Sequence, residues 1–241
     1  MNTLLRRATC VVLPAAVMML LIAPTLPCRA ADDADAAKQV VQRMQLRYQQ
    51  LSSLRFSFSQ ETSGQFTGRP KIGRGGGILV NTGQQTLMRW NYDSPEQQII
   101  ISDGRTVSMY FKDLNQMIIA PADTAQTDVL LSFFTGDRAL DETFLILPPE
   151  TAEEQTASTG SHQLSGAQLV PRQPHAQLST VHLFIDNDSL IRRIDMVDHF
   201  DTRTIIDLDS IEVNPLDIQD TAAIEQVFTF TPPPGTEIIR Q

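Results

Sequence analysis

The chain has 241 residues, of which 41% are hydrophobic and 20% are charged, and its formal net charge is −9 at pH 7. This acidic balance argues against nucleic acid and anionic lipid surfaces as partners, because contacts with phosphate groups require an excess of Lys and Arg. It is compatible with a basic protein partner, and the length suits one domain of the larger all-β kind.

Residues 1–30 have the pattern of a secretory signal peptide. Arg6 and Arg7 precede an uncharged apolar stretch over residues 8–27, and small residues follow around Ala30. A basic start, an apolar centre and a small-residue cleavage site are the three parts of such a signal. We therefore expect cleavage after Ala30 and a single mature domain over residues 31–241.

A retained membrane anchor and a lipidated Cys28 are the two alternatives. Three prolines interrupt the apolar stretch, which is also short for a span of about 20 residues. Lipidation of Cys28 is disfavoured because Pro27 stands where such sites have a small residue.

Cleavage would remove Cys10 and Cys28, so the mature chain would have no disulfide, thiolate metal site or cysteine nucleophile. It would also remove three of the 19 basic residues and none of the 28 acidic ones, leaving a net charge of −12.

The mature chain is predicted to begin with an amphipathic helix over residues 35–51. Its apolar residues recur at helical spacing, at Val40, Val41, Met44, Tyr48 and Leu51. Strict alternation over residues 54–60 then predicts a half-buried strand. The glycine-rich stretch 64–77 reads as turns with tight β packing, because no Lys and no helix follow it as a phosphate-binding loop requires.

Short alternating segments make up most of the remaining chain. They predict strands over residues 77–81, 86–92, 97–102, 105–111, 115–120, 178–186, 189–198 and 203–213. Asp103-Gly104 and Asn187-Asp188 are predicted to turn between neighbouring strands. Asp123 is a candidate cap and Gly136 a terminating glycine, so a short helix is predicted over residues 123–134. Residues 148–176 are expected to hold loops and one strand.

The central strands carry large apolar residues on both faces. Ile99 and Ile101 point to one side of their strand and Ile100 to the other. One interpretation is that both faces are ordinary core. The other is that one face lines a cavity, for which flexible methionines such as Met109 and Met117 are suited. Many antiparallel strands with two short helices predict a mainly β, α+β protein, built as a curved sheet or open barrel with a helical cover.

A series of short motifs runs through most of the chain in a characteristic order. The motifs lie at residues 75–80, 89–92, 98–104, 183–186 and 228–235. In this order they resemble the LolA family, the periplasmic carriers of outer-membrane lipoproteins. The resemblance implies an incomplete antiparallel β-barrel, or half-barrel, with a short helical lid over a hydrophobic cavity that holds acyl chains.

The resemblance also implies transfer without covalent chemistry, hence no catalytic residue and no cofactor. The cargo would be lipidated proteins, loaded by an inner-membrane ABC-type transporter and handed to an outer-membrane acceptor, and the carrier would act in the periplasm as a monomer. The candidate residues for the acyl-chain cavity and its lid are Phe56, Phe58, Met88, Trp90, Ile99, Ile100, Ile101, Met109, Met117, Ile119, Leu130, Leu131, Phe133 and Phe134.

One position departs from the family pattern. The family usually has an Arg-Pro pair after the glycine-rich strand, and that Arg holds the lid by hydrogen bonds. Here Thr82 stands at the latch position, and a hydroxyl cannot replace a guanidinium fork. Either the lid is held differently, or the chain is a divergent member that moves another lipid or amphiphile. Unless Arg74 or Arg89 takes over, the latch is weaker and Thr82→Arg should ease cargo release. Alternation places Arg89 on the face opposite Trp90.

Catalytic and metal sites find little support in the sequence. The four histidines, His162, His175, His182 and His199, share no metal-ligand spacing, and no nucleophile elbow is present. The acidic residues near the last hairpin are expected to be solvated on an outer face: Asp195, Asp198, Asp201, Asp207 and Asp209. We therefore expect a protein that is not an enzyme and that binds no metal.

Two other functions on the same fold stay open. A lipid-sensing or regulatory domain would normally need an output module, and none is evident after Gly235. An outer-membrane acceptor would need a lipidated N-terminal cysteine, which Cys28 after Pro27 does not supply well.

Overall fold

The structure is a computed structural model that describes residues 29–64, 68–122, 133–134, 139–150, 158–159, 162–175 and 178–241. Three helices have both ends within these residues: α1 (Arg29–Gln50), α2 (Leu140–Thr143) and α3 (Thr221–Phe228). The strands are β1 (Ser53–Ser63), β2 (Lys71–Asn81), β3 (Thr86–Ser94), β4 (Gln98–Ser102), β5 (Thr106–Phe111), β6 (Gln116–Pro121), β7 (Phe144–Leu147), β8 (Ser158–Thr159), β9 (His162–Gln163), β10 (Ser165–Pro171), β11 (Thr180–Ile185), β12 (Ile191–Val197), β13 (Arg203–Val213) and β14 (Glu237–Arg240).

Twelve of these strands form one open sheet. Its order is β14-β6-β5-β4-β3-β2-β1-β13-β12-β11-β10-β7, and β8 pairs with β9 separately. All neighbours in the large sheet are antiparallel except β14, which runs parallel to β6. The sheet does not close on itself, so the predicted mainly β fold with an incomplete barrel is confirmed.

The hairpin between β4 and β5 turns at Asp103 and Gly104, as predicted. The Asp103 carboxylate accepts hydrogen bonds from the backbone N–H groups of Arg105 and Thr106, at 2.9 and 2.7 Å. Gly104 has a φ of +81°, a left-handed conformation that side chains with a Cβ rarely adopt. Local chemistry therefore determines this turn.

The glycines of β2 allow close packing within the sheet. A methyl group added at Gly77 would lie 2.3 Å from Cζ of Phe56, and one at Gly75 would lie 1.8 Å from the carbonyl oxygen of Asn91. The interpretation of these glycines as tight β packing is confirmed. The expectation of turns up to residue 77 is wrong, because β2 already begins at Lys71.

Helix α1 packs against β10 and β7 on one face of the sheet, which we call the inner face. Its predicted apolar stripe is buried, and Val41, Met44 and Tyr48 are at most 3% exposed. The Tyr48 hydroxyl accepts a hydrogen bond from the backbone N–H of Ile191 in β12, at 3.2 Å. The helix is already present at Arg29, the first described residue, and not only from residue 35, because the intervening residues are mainly alanine and aspartate and do not interrupt it.

The chain after β13 covers the opposite face, which we call the outer face. Helix α3 packs against β3, and the ring of Phe230 lies 5.0 Å from that of Tyr110 in β5. The Asp220 side chain caps α3 by accepting from the backbone N–H of Ala223. Neither α3 nor β14 is anticipated from the sequence. Because α3 and the residues after it cover part of the outer face, apolar residues of the central strands on that face, such as Tyr110, are buried.

Charged residues of β12 and β13 pair across the outer face. Asp195 is only 3% exposed, and both of its oxygens accept from Nε of Arg203 at 2.9 Å. Asp207 accepts two hydrogen bonds from Arg193. The expectation that Asp195 is solvated is therefore wrong. It does lie on the outer face, but a long arginine side chain on the neighbouring strand covers it.

Several expectations concern regions that are described only in part. Within residues 123–134 only Phe133 and Phe134 are described, and both are helical; Leu130 and Leu131 lie outside the described residues, as does the segment 1–28. Residues 148–176 hold β8, β9 and β10 rather than one strand. Among the helices that the structure describes, none is long and apolar enough to cross a bilayer.

Candidate functional site

The inner face carries an aromatic cluster around the only tryptophan. Trp90 in β3 lies between Phe56 and Phe58 of β1, with ring centroids 5.1 and 4.6 Å away. All three side chains are at most 3% exposed. They share a face because Gly77 of β2, which pairs with both Phe56 and Trp90, has no side chain to separate them.

Phe134 connects this cluster to α1. Its ring stacks on that of Phe56 at 6.0 Å and lies 5.7 Å from Tyr48 and 6.4 Å from Trp90. The neighbouring Phe133 packs on Phe144, and both residues are at most 3% exposed. Residues 133 and 134 therefore lie between α1 and the sheet.

An apolar row continues from Trp90 across the sheet. The strand register pairs Trp90 with Ile100, Ile100 with Met109, Met109 with Ile118, and Ile118 with Ile239. These partners are half-buried, whereas Trp90 is buried. The inner face therefore becomes more accessible from β3 toward the β14 edge.

Sequence reasoning missed two members of this row, Ile118 and Ile239. Alternation along β6 could have identified Ile118, because its side chain points to the opposite face from Met117 and Ile119, just as that of Ile100 does from Ile99 and Ile101. Ile239 gave no comparable signal, because its contact depends on the parallel pairing of β14 with β6.

The candidate cavity residues divide between the two faces. Phe56, Phe58, Met88, Trp90, Ile100 and Met109 lie on the inner face, toward Phe133 and Phe134. The register places the other four described candidates on the outer face: Ile99, Ile101, Met117 and Ile119. They pair there with residues such as Arg89 and Tyr110, so they do not share a cavity with Trp90. The outer-face set lies where the chain after β13 covers part of the sheet, whereas the inner-face residues beyond Trp90 stay half-buried.

The latch candidate Thr82 lies in the exposed turn between β2 and β3. Its hydroxyl donates to the carbonyl of Gln85 at 2.9 Å and accepts from the backbone N–H of the same residue at 3.2 Å. Gly83 donates its N–H to the Asn81 side chain. The described contacts of Thr82 stabilise its own turn and do not reach Phe134. Its role as a latch stays a prediction.

Arg89 bonds to the C-terminal helix. Its Nη1 donates to the carbonyl oxygen of Val227 in α3 at 2.5 Å, and its Nε donates to Asn91 at 3.0 Å. Burial lowers the pKa of its guanidinium. The register confirms that Arg89 lies on the face opposite Trp90. It therefore stabilises the outer layer and is not in a position to replace the latch.

Polar groups near the cluster are few. The Tyr92 hydroxyl donates to the side-chain oxygen of Gln60 at 2.8 Å, whereas Nε1 of Trp90 is buried and has no partner among the described residues. Farther along the sheet, Asp186 accepts from Arg192 at 2.6 Å. No group of three or more acidic, His or Cys side chains in the described part of the chain is arranged to hold a metal.

Solved structures with the same fold support the architecture. An uncharacterized conserved protein from Thermus thermophilus superposes with a TM-score of 0.52 at 12% identity, covering 86% of this chain and 99% of that one. MucB superposes with a TM-score of 0.50 at 12% identity, covering 85% of this chain and 66% of MucB.

Sequence comparison identifies closer relatives. The outer-membrane lipoprotein carrier protein of Bordetella avium is 28% identical over 226 residues, 93% of this chain and 95% of that protein. The carrier of Chromohalobacter salexigens is 30% identical over 153 residues, covering 63% of this chain but only 65% of the relative's length. The family model for the outer membrane lipoprotein carrier protein LolA matches residues 49–220. The chain therefore belongs to the LolA family.

Proposed function

We propose that this protein carries lipid-modified proteins by holding their acyl chains against the inner face of the sheet. The observation that carries the proposal is Phe134, which packs on Phe56 and Trp90 in front of the half-buried apolar row. Phe134 occupies part of the surface that an acyl chain would contact. Membership of the LolA family supports the same assignment.

The transfer requires a large apolar contact surface. Each methylene group contributes about 0.8 kcal/mol to membrane binding, so removing a chain of about 16 carbons costs on the order of 12 kcal/mol. A carrier must replace most of that contact and still release its cargo. An aromatic cluster on which Phe134 packs meets both needs, because Phe134 and the acyl chain would compete for the same surface.

The proposed partners follow from this role. An inner-membrane ABC-type transporter would load the cargo, and an outer-membrane acceptor would receive it, with the carrier acting in the periplasm as a monomer. The net charge of −12 expected for the mature chain favours contacts with basic protein surfaces over anionic lipid headgroups. The proposed process breaks and forms no covalent bond, so the protein would not be an enzyme.

A matched pair of variants tests the site. We expect Ile100→Glu to weaken the binding of an environment-sensitive hydrophobic probe at least tenfold, because it places a charge in the apolar row. Ile101→Glu is the control, since Ile101 is also half-buried but lies on the outer face opposite Arg89. Fluorescence titration measures both, and displacement by an acylated lipoprotein identifies the cargo. Equal losses in the two variants, or no binding by the parent protein, would contradict the proposal.

Export by a cleaved signal peptide is part of the same proposal. The intact mass of the protein recovered from the periplasm should correspond to a chain that starts after Ala30. A mass that includes Cys28 with a diacylglyceryl group would instead indicate a membrane-attached acceptor.

A further inference from the structure

The indole nitrogen of Trp90 is the one buried side-chain nitrogen or oxygen without a hydrogen-bond partner in the described part of the chain. Buried tryptophan N–H groups usually find a partner, because removing a donor from water without compensation is unfavourable. The nearby Tyr92 hydroxyl, by contrast, is paired with Gln60. This unpaired N–H therefore requires an explanation.

The aromatic side chains around Trp90 offer its N–H no strong hydrogen-bond acceptor. The rings of Phe56, Phe58 and Phe134 lie within 6.4 Å of its ring centroid. Aromatic faces accept only weak N–H···π contacts. A water molecule needs two to four polar partners to remain buried, and this cluster is apolar. The chain thus maintains an unmet donor inside the surface assigned to cargo.

We propose that Nε1 of Trp90 donates a hydrogen bond to a carbonyl oxygen of the cargo's acyl linkage, an ester or an amide. This inference rests on the proposed function and specifies the chemistry that the site recognises. The ring of Phe134 lies 6.4 Å from that of Trp90, so an acyl chain that took the place of Phe134 would contact the indole. An acyl chain entering there brings a carbonyl acceptor at its head, which a plain hydrocarbon does not have.

The hydrogen bond would give the carrier a preference for ligands with a carbonyl group, which hydrophobic contact alone does not provide. Burial of methylene groups is non-directional and treats any alkyl chain alike. A buried donor discriminates strongly, because a ligand without the acceptor leaves the N–H unpaired. The site would therefore favour acylated molecules over alkyl ethers and alkanes of equal length.

The test compares two phospholipids that differ only in their linkages, one with palmitoyl ester chains and one with hexadecyl ether chains, presented in the same mixed micelles. Displacement of the hydrophobic probe measures both affinities. We expect the parent protein to bind the ester about 3- to 10-fold more tightly than the ether, the effect of one hydrogen bond. Trp90→Phe should abolish that preference while still binding the ether.

Phe58→Leu is the control for packing, because it alters the cluster without removing the donor. It should weaken binding of both lipids and keep the ester preference. A second measurement does not depend on any variant. The chain has a single tryptophan, so its indole N–H gives one NMR signal, which should move downfield with the ester and not with the ether.

Each outcome is decisive. Equal binding of ester and ether, or an ester preference that survives in Trp90→Phe, would overturn the inference and leave the proposed function standing. Binding of neither lipid would overturn the inference, and the proposed function would fall with it only if an acylated lipoprotein also failed to displace the probe.

Discussion

Gly77 shows how one residue determines the shape of the proposed site. A Cβ at this position would lie 2.3 Å from the Phe56 ring, far inside normal contact distance. We expect Gly77→Ala to displace Phe56 from Trp90 and to lower the free energy of unfolding by about 1–3 kcal/mol, as overpacking in a core typically does. Probe binding should weaken as well, because the two rings belong to the proposed contact surface.

The neighbouring Gly76 supplies a matched control. A Cβ there would meet only the Phe56 carbonyl oxygen at 3.5 Å, an ordinary contact. Gly76→Ala should be neutral or stabilise the strand by up to about 1 kcal/mol, since glycine is entropically costly in a strand. Urea unfolding of both variants measures the difference. Similar midpoints for the two would show that Phe56 can move at little cost.

At the scale of elements, Arg89 is the main polar link between the sheet and α3. Its half-buried guanidinium donates to the Val227 carbonyl near the end of that helix. We expect Arg89→Met to loosen α3, with a loss of about 1.5–3 kcal/mol for a charge-assisted hydrogen bond. Hydrogen exchange in residues 221–228 should accelerate, while exchange in α1 should stay unchanged.

Arg55→Met provides the comparison. Arg55 pairs with Glu212 at 3.0 Å, but the two side chains are 46% and 59% exposed. Exposed ion pairs contribute about 0–1 kcal/mol, so this variant should leave α3 and global stability nearly unchanged. If exchange in α3 responded equally to both variants, the Arg89 contact would not hold the helix.

The sequence predicted those elements whose signals are local. Helix α1 has a long stripe at helical spacing, and the hairpin at Gly104 has its own turn chemistry. Helix α3 has eight residues, of which only Ile224 is buried, and this is too short for a clear helical pattern. The prediction therefore contains no helix on the outer face. Alternation places Ile100 and Ile101 on opposite faces of their strand, but it does not show which of the two faces the proposed site.

At the scale of the whole molecule, two buried tyrosines make the free energy of unfolding depend on pH in the alkaline range. Burial raises the pKa of Tyr48 far above its usual value and raises the pKa of Tyr92 to about 12. Tyrosines of the unfolded chain ionise near pH 10, so between about pH 10 and 12 the folded protein holds protons that the unfolded chain has lost. Stability is therefore complete below about pH 10 and falls as the pH rises through this range, by about 1.4 kcal/mol per pH unit for each tyrosine.

Tyr92→Phe isolates one of these contributions. At neutral pH the variant should be less stable by about 1 kcal/mol, because it loses the hydrogen bond to Gln60. Above about pH 10 it should lose stability less steeply than the parent protein. The variant lacks the Tyr92 hydroxyl, which in the parent ionises more easily in the unfolded chain than in the folded protein. The two curves of unfolding free energy against pH should therefore converge and then cross before about pH 12. Urea unfolding at intervals of one pH unit measures them, and parallel curves would show that the Tyr92 hydroxyl ionises equally easily in the folded and unfolded states.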